Sequence, residues 1–225
     1  MYVECSEFVD KGRNRWELYS TNPEGNKFLS AYLQLFDRSY NLNSVVRLFN
    51  DESGKEWDLP IERFIKQWHT QYGIFILFPC TGENIDKYFI EHRENCTAEA
   101  VEAKVKQLLL GVQKLHDGNF ALQNLSCRNV VCDNKGMVRI TDLSASVYLP
   151  QTEDRRVAIA EDWKLCAKII GEIGEAIAGR FSNEQFFLET RLVANMSIII
   201  VDLYNESAPR CKEGIVNYFG ENSVQ

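Results

Sequence analysis

The stretch "HDGNFALQNLSCRNVVCDNKGMVRITDLSASV", from His116 to Val147, decides how this chain is read. It starts at the end of a segment striped with apolar residues. It then crosses a polar loop and closes on two short β-prone runs, "NVVCD" and "VRITD". The turn "DNKG" joins those runs, because Asp, Asn and Gly supply the left-handed or side-chain-bonded conformations that a tight turn needs. Upstream, Val101, Val105, Leu108, Leu109, Val112 and Leu115 recur at helical spacing, with Lys104, Lys106, Gln107 and Lys114 between them. This pattern predicts an amphipathic helix with Thr97 as its N-cap and Gly118 just past its end.

Further out, the first part of the chain reads as β-structure. "FLSAYLQLF" (Phe28–Phe36) and "YGIFILF" (Tyr72–Phe78) are strand-like, and the second is apolar throughout, as an interior strand would be. The turn cluster "NPEGNK" (Asn22–Lys27) suggests a small antiparallel meander over residues 5–36. Within Asp37–Asp58 a short helix from Leu42 to Phe49, followed by an acidic loop, is expected. Residues near Phe78–Asn84 read as a linker. The last third is helical by pattern, over Glu161–Ile177, Asn183–Tyr204 and Arg210–Phe219.

Composition narrows the classes of function. The chain has 225 residues, enough for one large domain or two small lobes, and a net charge of −7 that argues against a nucleic-acid-binding surface. Its seven cysteines are scattered with no CxxC pair, so neither a zinc site nor a disulfide framework is expected. Buried reduced thiols in a cytoplasmic or nuclear protein are the expectation. The start lacks the apolar core of a signal peptide, and "SIIIV" with its flanks falls far short of the ~20 residues that span a bilayer, so no membrane partner is expected. His69, His92 and His116 form no nucleophile–base–orienter pattern. His116 is expected at a helix end and the other two near the surface. Glu172 and Glu175 lie at i, i+3 on a solvated helix face, and Trp57, Trp68, Phe186, Phe187 and Tyr204 are candidates for core or for contact surface.

A long helix ending in "LH", then a loop, then a hairpin ending in aspartate resembles the middle of a protein kinase, whose signature is H-R-D-L-x-x-x-N followed by D-F-G. Here "LQNLSCRN" (Leu122–Asn129) aligns without gaps, and "DLS" (Asp142–Ser144) follows. "FPCTGENIDKYFIEH" resembles the family's hinge and first large-lobe helix, and "EDWKLCAKII" its central helix. "ERFIKQWHTQYGIFILFPC" is similar to the corresponding stretch in kinases of the translation initiation machinery and in Wee-type kinases. The resemblance runs from about Phe28 to Phe219 and is strongest over residues 72–170. It implies an α+β, bilobal protein-kinase-like fold. A small β-rich N-lobe would cover 1–79, and a mainly helical C-lobe would cover 80–225, with a catalytic-loop-like hairpin at 120–145 and a shortened activation segment.

The same resemblance locates the positions that carry the family's chemistry. Kinases position a phosphate and neutralise charge, with an aspartate accepting the substrate's proton. Asn124 stands at that aspartate, and an amide takes no proton at neutral pH. Gln123 stands at the loop arginine, Leu122 at the loop histidine, and Gln34 at the strand lysine that grips phosphates. "DKGRNRWEL" keeps only Gly12 of the Gly-rich loop, and Arg13, Asn14, Arg15 and Trp16 are expected to crowd the phosphate space. Asn129 and Asp142 match the two metal-ligating positions, with a turn-forming structural role as the alternative. Asp162 matches the buried aspartate that holds the catalytic-loop backbone. Arg210 matches the arginine that pairs with the A-P-E glutamate, but no A-P-E lies in the short Ser144–Glu161 interval.

The expectation that follows is a pseudokinase rather than an enzyme. It would be a scaffold or allosteric regulator of a protein partner, such as a true kinase or another signalling protein. No cofactor is expected beyond weak binding of ATP with magnesium at Asn129 and Asp142. A hydrophobic inter-lobe groove and the Val147–Val157 surface are the expected contacts. The competing expectation is an atypical phosphotransferase using Asp142 and Asn129 with metal-ATP and a relocated lysine, Lys11 or Lys27.

Overall fold

The computed structural model describes residues 7–12, 14–37, 65–79, 82–92 and 96–177. The helices expected at Leu42–Phe49, Asn183–Tyr204 and Arg210–Phe219 lie outside these residues, as do Arg210, Trp57, Phe186, Phe187 and Tyr204. The chain is α+β, with a β-rich first part and helices later. Strands β1 (Glu7–Asp10), β2 (Arg15–Thr21), β3 (Lys27–Asp37), β4 (Lys66–His69) and β5 (Gly73–Pro79) form one antiparallel sheet in the order β1-β2-β3-β5-β4. The apolar run predicted as interior is β5, hydrogen-bonded on both sides.

Beyond the sheet come β6 (Glu83–Asn84), α1 (Ile85–Glu91), α2 (Ala98–Asp117), β7 (Phe120–Ala121), β8 (Val130–Cys132), β9 (Val138–Ile140), β10 (Val147–Tyr148) and α3 (Arg155–Ile177). Strands β6, β8 and β9 form a small antiparallel sheet, and β10 pairs with β7. Gly82 lies where the chain passes against β8. A Cβ there would sit 2.6 Å from the Cys132 carbonyl oxygen, so the close approach of β6 to β8 requires glycine.

Helix α2 forms where the apolar period predicts it. Thr97 Oγ1 accepts a hydrogen bond from Ala100 N–H, and the apolar stripe Val101–Leu115 is at most 1% exposed. Its polar face is not solvated throughout. Lys104 is 8% exposed, its ammonium bonds the Gly136 carbonyl at 2.9 Å and lies over the Tyr88 ring, and Gln107 Oε1 accepts from Val138 N–H. The "polar" residues of the helix therefore clamp the β8–β9 hairpin. Packing α1 and α2 against α3 buries Trp163, Ile170 and Ile173 completely.

Helix α3 begins at Arg155, six residues before the expected Glu161. Asp154 is the reason: its carboxylate accepts from the N–H groups of Arg156 and Val157, capping a turn ahead of the expected start. Among the described residues, no helix is long and apolar enough to cross a membrane.

The β8–β9 turn turns on Asp133. One carboxylate oxygen accepts from Lys135 and Met137 N–H at 2.9 Å each, and the other meets Arg139 Nε at 3.1 Å. Burial pushes the carboxyl up, but these backbone donors and the guanidinium outweigh it and hold it below the ordinary range. A depressed folded-state value stabilises above the unfolded value and is lost as pH falls through the folded one. Asp133→Asn should therefore cost about 1 kcal/mol at pH 7 in urea unfolding, and the gap to the unaltered chain should close below about pH 4.

Candidate functional site

The turn from β1 to β2 builds one wall of a cleft. Asp10 Oδ1 accepts from Gly12 N–H at 2.7 Å, Gly12 lies at φ +70°, and Arg15 N–H closes the turn on the Gly12 carbonyl. This sets Arg15 at the start of β2, opposite Gln34 on β3. Its guanidinium lies 4.2 Å over the Tyr32 ring and puts Nη1 2.7 Å from Asp142 Oδ2. Tyr32 stacks on Phe78 and its hydroxyl accepts the Asp142 N–H, so Asp142 is tied to the sheet by two contacts.

The opposite wall is the loop after α2. Asp162, fully buried on α3, accepts Leu122 N–H at 2.7 Å and Gln123 N–H at 2.8 Å, and its Oδ2 is 2.9 Å from His116 Nε2. Two successive N–H groups converging on one carboxylate make an anion-holding bend, and Gln123 accordingly sits at φ +63°. Gln123 also donates from Nε2 to the Ala158 carbonyl. The expectation of His116 as a bland helix-end residue misses this role. It is 4% exposed, lies edge-on to Trp163, and joins α2 to α3 through Asp162.

Past that bend, Asn129 fastens the loop. Its Oδ1 accepts from Ser126 N–H at 2.7 Å and Ser126 Oγ at 3.3 Å, while its Nδ2 donates to the Asn124 carbonyl at 2.8 Å. The Asn129 carbonyl takes Thr141 N–H, which brings the next residue, Asp142, beside the loop at φ +55°. Asn124 Oδ1 is buried with no hydrogen-bond partner.

The two walls enclose a cleft of about 380 Å³. Lys11, Gly12, Arg15 and Glu17 face Asn124, Arg128, Asn129 and Asp142 across it. Three cations thus meet two carboxylates, and the cleft is polar where a hydrophobic groove was expected. Lys11 pairs with Glu17 at 3.1 Å; that hydrogen bond, and the Glu17 charge with it, raises the Lys11 pKa above the ordinary lysine value. Lys27, the other candidate for a relocated lysine, pairs with Glu7 instead. Gln34 is 2% exposed, donates to the Leu35 carbonyl, and does not line the cleft. Trp16 packs against Phe75 and does not crowd the space, whereas Arg15 enters it; Arg13 lies outside the described residues.

Among the described residues no group of three His, Cys, Asp or Glu side chains converges as a metal cluster would. Two of the described thiols, Cys127 and Cys132, are held in the protonated form at neutral pH. Burial, then a hydrogen bond with Glu172, pushes Cys127 well above the usual thiol range, and burial pushes Cys132 up to about 12. His92 is exposed near Glu83, and His69 is exposed on β4.

No family profile matches the chain. It is similar to the probable serine/threonine-protein kinase MRK1 homolog of Encephalitozoon cuniculi, 24% identical over 143 residues, which cover 57% of this chain and 45% of that protein. It is also similar to serine/threonine-protein kinase PSK1 of Saccharomyces cerevisiae, 32% identical over 78 residues, or 33% of this chain and 6% of that protein. The chain thus spans less than half the length of either curated relative. These weak similarities point to the kinase-like superfamily, and the α+β architecture is compatible with that fold. They also correct the expectation of a non-enzyme: both relatives are named as kinases, so the similarity is to proteins named as enzymes.

The loop's dependence on Asp162 is measurable. Asp162→Ala strands two backbone N–H groups and His116 in the interior, and should cost about 3 kcal/mol or more in urea unfolding. Lys164→Ala on the exposed face of the same helix should stay within about 0.5 kcal/mol.

Proposed function

We propose that this chain is a kinase-like domain that binds a phosphate-bearing nucleotide in the cleft between the β1–β2 turn and the 122–129 loop. The occupied cleft would then regulate a protein partner. The observation that carries the reading is the convergence of Lys11, Arg15 and Arg128 on one cleft of about 380 Å³ beside Asp142. Cations that line a polar space suit phosphate oxygens, and the guanidinium fork suits them best. Regulation is supported by the way the cleft is assembled. Asp142 is held by Arg15 and Tyr32 from the sheet and follows β9 from the other side, so a ligand that displaces one contact changes how the parts meet. The partner surface in this reading is the segment 147–157, where Val157 is 62% exposed.

Phosphoryl transfer is the second reading, favoured by the names of the two relatives and by the presence of Lys11, Asn129 and Asp142 in one cleft. Transfer through a loose transition state depends chiefly on positioning and charge, so the amide at Asn124 slows such chemistry without defining it.

Thermal-shift measurements with ATP and with adenosine test the nucleotide reading. ATP should raise the melting temperature by several degrees at about 100 times its Kd, adenosine should raise it far less, and Lys11→Ala should reduce the ATP shift. A shift with adenosine equal to that with ATP, or none with either, would defeat it. Radiolabel passing from the γ-phosphate of ATP to a protein acceptor, and stopping in Asp142→Ala, would establish the second reading.

A further inference from the structure

Resting on the nucleotide reading above, we infer that the cleft takes its phosphate-bearing ligand without a divalent metal, with Arg15 supplying the positive charge that a metal ion would otherwise bring. The two oxygen donors that the kinase resemblance assigns to metal are already engaged. Asp142 Oδ2 is 2.7 Å from Arg15 Nη1, and the guanidinium is further held by stacking on Tyr32 at 4.2 Å. Asn129 Oδ1 accepts from both Ser126 N–H and Ser126 Oγ, so its two lone pairs are committed, and its Nδ2 is anchored on the Asn124 carbonyl. Releasing Asn129 for a metal would undo the loop that positions Asn124 and Ser126.

Magnesium demands near-octahedral oxygen ligands and does not shed water readily, so it sits where carboxylates stand open to it beside phosphates. Here a divalent ion at Asp142 would lie within a few ångströms of a guanidinium, and that like-charge contact disfavours it. The same guanidinium is well placed for an anion. Its planar fork has five N–H donors; Asp142 Oδ2 forms an ion pair with Nη1, Glu17 Oε1 lies 4.0 Å from Nη2, and Lys11 and Arg128 line the same space. An oligophosphate free of metal carries more negative charge than its magnesium complex. A site built from protein cations therefore favours the metal-free form, whereas a metal-dependent site favours the complex.

The role assigned to Asp142 reverses as a result. In a metal site it recruits the ligand; here it competes with the ligand for Arg15. Calorimetric titration of ATP into the full chain, in EDTA and in excess magnesium chloride, separates the two. ATP should bind in EDTA at least as tightly as in magnesium, by a factor of about 3 to 10. Arg15→Gln should weaken binding about ten-fold in both buffers, Arg15→Lys should restore part of it, and Asp142→Asn should tighten it. Binding that needs magnesium and is lost in Asp142→Asn would overturn the inference while leaving the nucleotide reading in place. Absence of ATP binding in both buffers would overturn the nucleotide reading itself, and the inference with it. If Arg15→Gln does not fold, the EDTA comparison and Asp142→Asn decide the question alone.

Discussion

The described core depends on one buried carboxylate. Asp162 is fully buried, and a charge taken out of water survives only if donors surround it. Two consecutive backbone N–H groups and an imidazole do so, and each comes from a different requirement of the fold. His116 brings the end of α2, Leu122 and Gln123 bring the loop, and Asp162 itself rides on α3 beside Trp163, whose ring meets His116 edge-on at 5.1 Å. Apolar packing brings the two helices together without selecting one relative position. The carboxylate selects one, because only one position lets all three donors reach it. The left-handed backbone at Gln123 is the local cost of aiming both N–H groups inward.

From that brace the cleft follows by short steps along the chain. With Leu122 and Gln123 pinned, Asn124 is presented to the cleft, and Asn129 ties the end of the loop back to Ser126 and Asn124. Its carbonyl then receives Thr141 N–H from the far end of the hairpin, so that Asp142 emerges next to the loop. Asp133 and Lys104 hold the hairpin that spans this distance. Asp142, which lines the cleft, thus owes its place to the buried Asp162, although 20 residues separate them in sequence.

The sequence makes this scaffold legible because its signals are periodic or local. The stripe of α2, the Thr97 cap, the DNKG turn, the apolar β5 and the Asp-Trp pair on α3 can each be read from neighbouring residues. The misses share a different origin. Lys104 and His116 read as solvated or incidental because charge on a helix face is usually exposed, and only the tertiary position of Gly136 and Asp162 turns them inward. The early start of α3 was hidden by a charged segment whose cap, Asp154, is an ordinary loop residue until its carboxylate is seen on two N–H groups. Arg15 read as an obstruction in a degraded glycine loop. Its partners Tyr32 and Asp142 are 17 and 127 residues away, beyond any local pattern.

The two carboxylates differ in a way that bears on what the molecule can do. Asp162 has no solvent exposure and multiple donors, so its contacts cannot be exchanged without losing the fold. The side chains of Asp142 and Arg15 keep 25% and 17% of their exposure, and a pair so close to water contributes little to stability on balance. A weak ion pair at the mouth of a polar cleft is poor structural glue, but it suits exchange. It keeps a guanidinium oriented by Tyr32 and charged, and it can release that guanidinium to an incoming anion at small expense to the fold. Separating the rigid carboxylate from the exchangeable one places the permanent constraint under the loop and leaves the adjustable one facing the cleft.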